Sequence, residues 1–104
     1  MNEQPKKYTT RRGDKIWYLP SKGKNYYHRL DGPAIELKGG TKQWWVNDEL
    51  YRLDGPAIEW PDGSKEWWID DKKLPTEEVE KWLEENSIDL KTEEGQMAFK
   101  LRWL

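Results

Sequence analysis

The sequence contains no cysteine and a single histidine. Without cysteine there is neither a disulfide framework nor a thiolate metal site, and one histidine excludes a multi-histidine zinc centre. No apolar run approaches the roughly 18 residues that a membrane helix needs, and the N-terminus lacks the apolar core of a signal peptide. A soluble, cytoplasmic protein without cofactor is the expectation. Apolar bulk is also scarce: hydrophobic residues of every kind make up 35% of the chain against 37% charged, a balance that by itself points towards disorder. Tryptophan argues the other way. Eight Trp and five Tyr stand among 104 residues, and each removes about 150–250 Å² from water when buried, so few residues can build a core. One domain is expected, burying roughly two-thirds of its unfolded surface.

Charge is unevenly placed. Residues 1–29 carry Lys6, Lys7, Arg11, Arg12, Lys15, Lys22, Lys24 and Arg29 against Glu3 and Asp14, whereas residues 76–94 are rich in glutamate. A basic N-terminal part can mark a nucleic-acid binder, but these charges read as a loop without regular spacing, and the net charge is −2. Solvated ends, or contact between the two halves, explain them more simply.

The decisive feature is self-similarity. His28-Arg29-Leu30-Asp31-Gly32-Pro33-Ala34-Ile35-Glu36 returns 23 positions later as Tyr51-Arg52-Leu53-Asp54-Gly55-Pro56-Ala57-Ile58-Glu59. Gly40-Thr41-Lys42-Gln43-Trp44-Trp45-Val46 returns, again 23 on, as Gly63-Ser64-Lys65-Glu66-Trp67-Trp68-Ile69, and a third copy, Gly13-Asp14-Lys15-Ile16-Trp17-Tyr18-Leu19, precedes it by 27. The four extra residues fall in 21–27 and read as a longer loop. Pro61-Asp62-Gly63 is a hairpin signal, with Gly39-Gly40 in the same place one repeat earlier. Leu-Asp-Gly-Pro at 30–33 and 53–56 is turn chemistry. Strands are expected over 15–19, 34–37, 42–47, 57–60 and 65–70.

After Pro75 the pattern becomes helical. Residues 76–86 place Val79, Trp82 and Leu83 at helical spacing, with Thr76 as cap; residues 92–104 form a second helix capped by Thr92. Glu93 and Glu94 suit its N-terminal dipole, Lys100 and Arg102 its C-terminal end. Met97, Leu101 and Leu104 line one side, while Phe99 and Trp103 form a second apolar pair. The fold class is therefore α+β: an antiparallel β-meander of at least five short strands, closed by two C-terminal helices. A basic segment at 1–12, a Trp-rich repeat sheet at 13–75 and a helical cap at 76–104 make one domain.

The unit Trp45-Val46-Asn47-Asp48-Glu49-Leu50-Tyr51-Arg52-Leu53-Asp54-Gly55-Pro56-Ala57 resembles a pattern of small proteins from tailed phages and giant viruses, W-x-x-N-G-x-x-H-R-x-D-G-P-A. It is distantly similar to MORN repeats, which share the period and the two-stranded unit. The tail from Gln96 to Trp103 looks like the ending of small phage early proteins. Asp48 and Asp71 stand where glycine is usual, and Tyr51 replaces a histidine that survives as His28. The resemblance implies a binding or scaffolding surface and assigns no catalytic residue.

Strand alternation sorts the side chains. Trp17, Leu19, Trp44, Val46, Trp67 and Ile69, joined by Ile35, Leu37, Ile58 and Trp60, form the expected core face under the helices. Opposite stand Tyr18, Trp45 and Trp68 in a column, flanked by Ala34, Glu36, Ala57 and Glu59. With Tyr26, Tyr27, Arg29 and Arg52, these aromatics and carboxylates form the candidate site. The simpler reading is that the column packs into itself, into the 21–27 segment or into a second copy, and a homo-oligomer, a dimer or higher, is expected because an open repeat sheet has edges to cover. Arg29 and Arg52 either pair with the aspartate of the following turn or hold an anion beside the rings.

Two functions compete. One is a phage protein that binds and inhibits a host protein as counter-defence. The other is a sponge for a nucleotide-derived immune signal, its base stacked on Trp and Tyr and its phosphates held by arginine. Single-stranded nucleic-acid binding ranks below both, because the face carries glutamates. The face assignment predicts that Trp45→Ala with Trp68→Ala abolishes binding and spares the fold. Trp44→Ala should instead destabilise by about 3–5 kcal/mol in urea denaturation.

Overall fold

The computed structural model describes residues 4–104; the first three residues of the basic N-terminal segment lie outside the described residues. Ten strands precede two helices: β1 Lys6–Thr9, β2 Lys15–Ser21, β3 Lys24–Tyr27, β4 Ile35–Glu36, β5 Lys42–Gln43, β6 Trp45–Val46, β7 Glu49–Leu50, β8 Ile58–Glu59, β9 Lys65–Ile69, β10 Lys72–Leu74, α1 Thr76–Glu85 and α2 Glu93–Trp103. An antiparallel meander runs β1-β2-β4-β5-β8-β9-β10, with β3 also on β2 and β6–β7 as a separate hairpin. The α+β meander with two C-terminal helices is thus the observed fold.

The chain builds one three-strand unit three times. In each, a short strand makes a tight turn into a Trp-bearing strand, which reverses again into a return strand. The first turn has the same bonds each time: Gly13, Gly40 and Gly63 donate to the carbonyls of Thr10, Leu37 and Trp60. These glycines have φ of 104°, 106° and 92°, backbone that only glycine adopts without strain. A three-residue loop ending in such a glycine is a standard hairpin closure. The expected hairpins at 39–40 and 61–63 are therefore present. A third copy, at Thr10–Asp14, makes β1 the opening strand of the first unit. Lys6 and Lys7 are strand residues rather than loop residues, and Lys24 is likewise in β3.

The second reversal uses two residues with positive φ: Lys22-Gly23 (51°, 77°), Asn47-Asp48 (50°, 69°) and Asp70-Asp71 (49°, 63°). Positive φ at both positions marks the turn type whose twist matches paired strands. The four extra residues of the first unit are accordingly not a loop. They lengthen the β2–β3 hairpin by two residues on each strand, and its ladder runs from Tyr18↔Tyr27 to Ser21↔Lys24.

Asp48 and Asp71, at the turn positions where glycine was expected, have a use for their side chains. Asp48 Oδ1 accepts from Tyr27 N–H at 3.1 Å, and Asp71 Oδ1 from Leu50 N–H at 3.2 Å. Their own N–H groups donate to the carbonyls of the same two residues. Each turn is thereby clamped to the return strand of the preceding unit, which offsets the strain of a left-handed aspartate. His28, buried, accepts the Asn47 N–H on Nδ1 at 3.1 Å and fixes the neighbouring turn residue in the same way.

The expected strand at 42–47 is divided because it changes partner at Trp44. The Trp44 N–H donates to Ala57 on one side, while its carbonyl accepts from Tyr51 on the other. Trp17 repeats this, donating to Ala34 and accepting from His28.

The helices close the last unit. Trp67, Ile69 and Leu74 pack with Val79, Phe99 and Trp103 in the main core, with Tyr51, Leu53, Trp82, Leu83 and Leu90 around them. Helix α1 is preceded by Pro75 without a side-chain cap, so Thr76 is its first residue and not its cap; the Thr76 hydroxyl instead reaches the Lys65 carbonyl. Thr92 caps α2, its Oγ1 accepting from Gly95 N–H at 2.9 Å. Gly95 is required there, because a Cβ would collide with the Asp89 carbonyl.

The first turn is tied to the second by a buried carboxylate. Asp14 accepts the Lys38 N–H at 2.9 Å and Arg12 Nε at 2.6 Å. Its pKa is lowered below the ordinary carboxylate value, first by the Lys38 amide and then by Arg12. The folded value lies below the unfolded one, so Asp14 contributes its full stabilisation above about pH 4 and loses it as pH falls through the folded value. Asp14→Asn is therefore expected to lower Tm at pH 7, with a deficit that shrinks steadily below about pH 4. Thermal scans across that range check it, and a deficit that persists at the acid end would contradict it.

Candidate functional site

Pairing register fixes which side chains share a face. Lys15 pairs with Glu36, Glu36 with Lys42, Lys42 with Glu59, and Glu59 with Lys65. Ile16, Ile35, Gln43, Ile58 and Glu66 form the alternate row. Glu36 and Glu59 thus lie on the face of Trp17, Trp44 and Trp67, and Ile35 and Ile58 lie on the face of Tyr18, Trp45 and Trp68. This corrects the expected grouping, which had both pairs reversed.

On the first face each guanidinium lies flat on an indole. Arg29 Cζ is 3.8 Å from the Trp17 ring centroid, and Arg52 Cζ is 3.7 Å from that of Trp44. Arg52 Nε donates to Asp54 at 2.7 Å, and Nη1 to the Pro56 carbonyl and to Glu59, each at 2.9 Å. Arg29 repeats the set with Asp31 at 3.0 Å, the Pro33 carbonyl at 3.0 Å and Glu36 at 3.5 Å. The other side of each guanidinium is the turn glycine: a Cβ on Gly55 would stand 2.7 Å from Arg52 Cζ, and one on Gly32 2.9 Å from Arg29 Cζ.

The repeated Arg-Leu-Asp-Gly-Pro-Ala-Ile-Glu motif is therefore one device, a cation held between an indole and a glycine with its Nε and Nη1 bonded to Asp, Glu and a proline carbonyl. The arginine side chains retain 21% and 17% of their exposure. Of the two roles open to them in the sequence, the internal pairing is the one observed. A groove of about 480 Å³ runs between the two Arg-Leu-Asp turns, with Trp44 and Val46 in its lining and Gln96 of α2 beside them.

On the second face Trp45 and Trp68 are half-buried. They pack with Trp60 against Leu50, Ala57 and Ile58 as a second core cluster. Their indole N–H groups are satisfied within the strand, Trp45 by Gln43 and Trp68 by Glu66, both at 2.9 Å. Tyr27 meets Trp45 edge-on at 5.3 Å. Tyr18 pairs with Tyr27, whereas Tyr26 pairs with Leu19 on the opposite face, where Lys24 lies over its ring. The nine candidate residues are thus divided: Tyr18, Tyr27, Trp45 and Trp68 on one face, Tyr26, Arg29, Arg52, Glu36 and Glu59 on the other.

Of two further features, the first escaped the sequence reading, and the second, the Met97, Leu101 and Leu104 side of α2, was read there but is left exposed. At the first-unit end of the aromatic face, a hollow of about 530 Å³ is lined by Tyr8, Ile16, Tyr18, Asn25, Tyr27 and Asp48. Tyr8 gave no repeat signal and could be placed only through its pairing with Ile16. The other feature is exposed: Met97, Leu101 and Leu104 remain 65%, 74% and 61% accessible on α2, and Leu30 is bare where its repeat counterpart Leu53 is covered.

Comparison with known proteins yields no family model, no curated protein and no solved structure that matches the chain.

Gly55→Ala is expected to drive Arg52 off the Trp44 ring and to destabilise by about 1–3 kcal/mol, the usual cost of overpacking. Gly39→Ala, where an added Cβ meets nothing, should stay within about 0.5 kcal/mol. Urea denaturation of the pair checks this, and equal effects would show that the glycine does not confine the guanidinium. Because Trp45 and Trp68 belong to a core cluster, their double truncation should also cost stability, contrary to the sequence-based expectation.

Proposed function

We propose that this chain is a small, non-catalytic, phage-encoded binding protein that docks on a host protein in the host cytoplasm and inhibits it as a counter-defence factor. The viral origin rests on the resemblance of its repeat and of its tail. The docking surface rests on one observation: α2 is apolar on two opposite sides. Gly95, Phe99 and Trp103 face the sheet and are buried, while Met97, Leu101 and Leu104, at i, i+4 and i+7, face outward and are exposed. A helix apolar on both sides is characteristically buried on both, and outward apolar patches of this kind mark interaction sites.

The alternative sponge is less well supported. Its phosphate-holding residues were to be Arg29 and Arg52, and their guanidiniums are already bonded to carboxylates and carbonyls. Self-association through the sheet edges is also disfavoured. Both outer strands, β1 with Lys6-Lys7 and β10 with Lys72-Lys73, carry the adjacent lysines that discourage strand addition. If the protein forms a homo-oligomer, the outer side of α2 is the surface it would use. No helix among the described residues is long and apolar enough to cross a membrane.

The test is affinity capture from several bacterial hosts, followed by reconstitution with the purified partner, using the wild type and a Met97→Glu, Leu101→Glu variant. One host protein should bind stoichiometrically to the wild type and lose at least about tenfold, or 1.4 kcal/mol, on the variant, with Tm unchanged. Failure to capture a partner from any host, or binding indifferent to the variant, would overturn the reading. So would a wild-type dimer that the variant splits, because the stripe would then serve self-association.

A further inference from the structure

We infer that the tyrosine-lined hollow of the first unit is a cage for an organic cation, the guanidinium or methylated ammonium head of a partner protein's side chain. This site is separate from the outer face of α2 and stands whether or not that face docks a partner.

The hollow arises where the first unit departs from the other two. Units two and three place Gln43-Trp44-Trp45 and Glu66-Trp67-Trp68 on this strand, and each second indole is pinned by the side chain two residues before it. The first unit has Ile16-Trp17-Tyr18. Isoleucine cannot hold a ring by hydrogen bonding, and the phenol is smaller than the indole it replaces. Tyr8 stands where the other units have Ile35 and Ile58, opposite Ile16 in the ladder. Tyr27 stands where the second unit has Leu50, its ring braced by Trp45. Three phenol rings therefore border the space of about 530 Å³ that indole and aliphatic groups occupy further along.

Charge selects the occupant. Asp48 is the one ionised residue in the lining. One of its carboxylate oxygens is used by the Tyr27 amide. Two of the nearby cations turn to the other face: Lys7 lies over Trp17 and Lys24 over Tyr26. Lys6 pairs with Tyr18 in the register but does not line the hollow. Aromatic faces carry negative quadrupoles, and several of them around a single carboxylate favour a soft, weakly hydrated cation. An anion such as phosphate would meet Asp48 and no donor cation in the lining.

The probes are N-acetyl-trimethyllysine amide, N-acetyl-arginine amide, phosphocholine and a neutral tert-butyl isostere of the trimethyllysine amide. Each is titrated into the 104-residue protein with NMR detection of tyrosine ring and backbone amide signals. The expected result is saturable shifts of Tyr8, Tyr18 and Tyr27 and of the Asp48 amide by a cationic amide, with Kd on the order of 1 mM and binding at least about tenfold weaker for the neutral isostere. Asp48→Asn keeps an oxygen for the Tyr27 amide and removes the charge, so it should bind several-fold more weakly with the fold intact. Tyr18→Phe, which keeps the ring, should bind as the wild type does. Equal binding of the neutral isostere, shifts confined to the Trp17 and Trp44 face, or no saturation by about 50 mM would overturn the cage. Tighter binding of phosphocholine than of either amide would overturn its assignment to a protein side chain. None of these outcomes depends on the Met97 and Leu101 surface, so the two proposals fail separately.

Discussion

The repeat rests on an arginine held between an indole and a glycine. A guanidinium stripped of much of its water must have its donors met and its charge balanced. Its planar fork suits that role where lysine would not. Every residue of the motif answers one part of the requirement. Asp takes Nε, the proline carbonyl takes Nη1, Glu from the next strand adds the balancing charge, and Gly leaves room for the second face of the plane. The tryptophan one strand away supplies the first face. A chain short of aliphatic residues thereby obtains a flat, dense filling from charged and aromatic ones, and the turn that links two units is locked to the sheet of both.

The same device explains how the array ends. Adding 23 to Arg52 gives Pro75, so the third unit has no arginine to lay on Trp67. Phe99 takes its place edge-on at 5.5 Å, and Glu80 of α1 accepts the Trp67 indole N–H at 3.2 Å. The two helices thus do for the last tryptophan what the next repeat's arginine does for the others, which is how a solenoid is capped when its pattern stops. Inside this cap Trp103 is buried edge-on to Trp82, and among the described residues none accepts its indole N–H.

Repeats, strand order, the hairpin glycines and both helices were legible in the sequence because each has a local cause: a fixed offset, a positive-φ residue, a helical period. The faces were only half legible. Alternation holds within a continuous strand, but Ala34-Ile35-Glu36 and Ala57-Ile58-Glu59 join the ladder for two residues each, and nothing local sets their phase against the Trp strands. Apolarity put Ile35 with Trp17; the arginine's need for Glu36 puts it on the other side. Strand β1 was missed because Lys7-Tyr8-Thr9 keeps the shape of Ala-Ile-Glu without its letters. The long β2–β3 hairpin read as a loop because an insertion shared equally between two paired strands leaves no turn signal beyond Lys22-Gly23.

In an array of this kind the consensus positions are committed to holding units together, and function is to be sought where a unit breaks the pattern. Both breaks here lie at the ends. The first unit exchanges a pinned indole for phenols around a hollow and leaves Leu30 bare; the last replaces the arginine with helices and leaves one side of α2 uncovered. Between them Arg29 and Arg52 are turned inward on their tryptophans, while Lys15, Lys42 and Lys65 stand in a row with Glu36 and Glu59 between them. If both proposals hold, a partner would be gripped at two points, with the repeat sheet setting the distance between them.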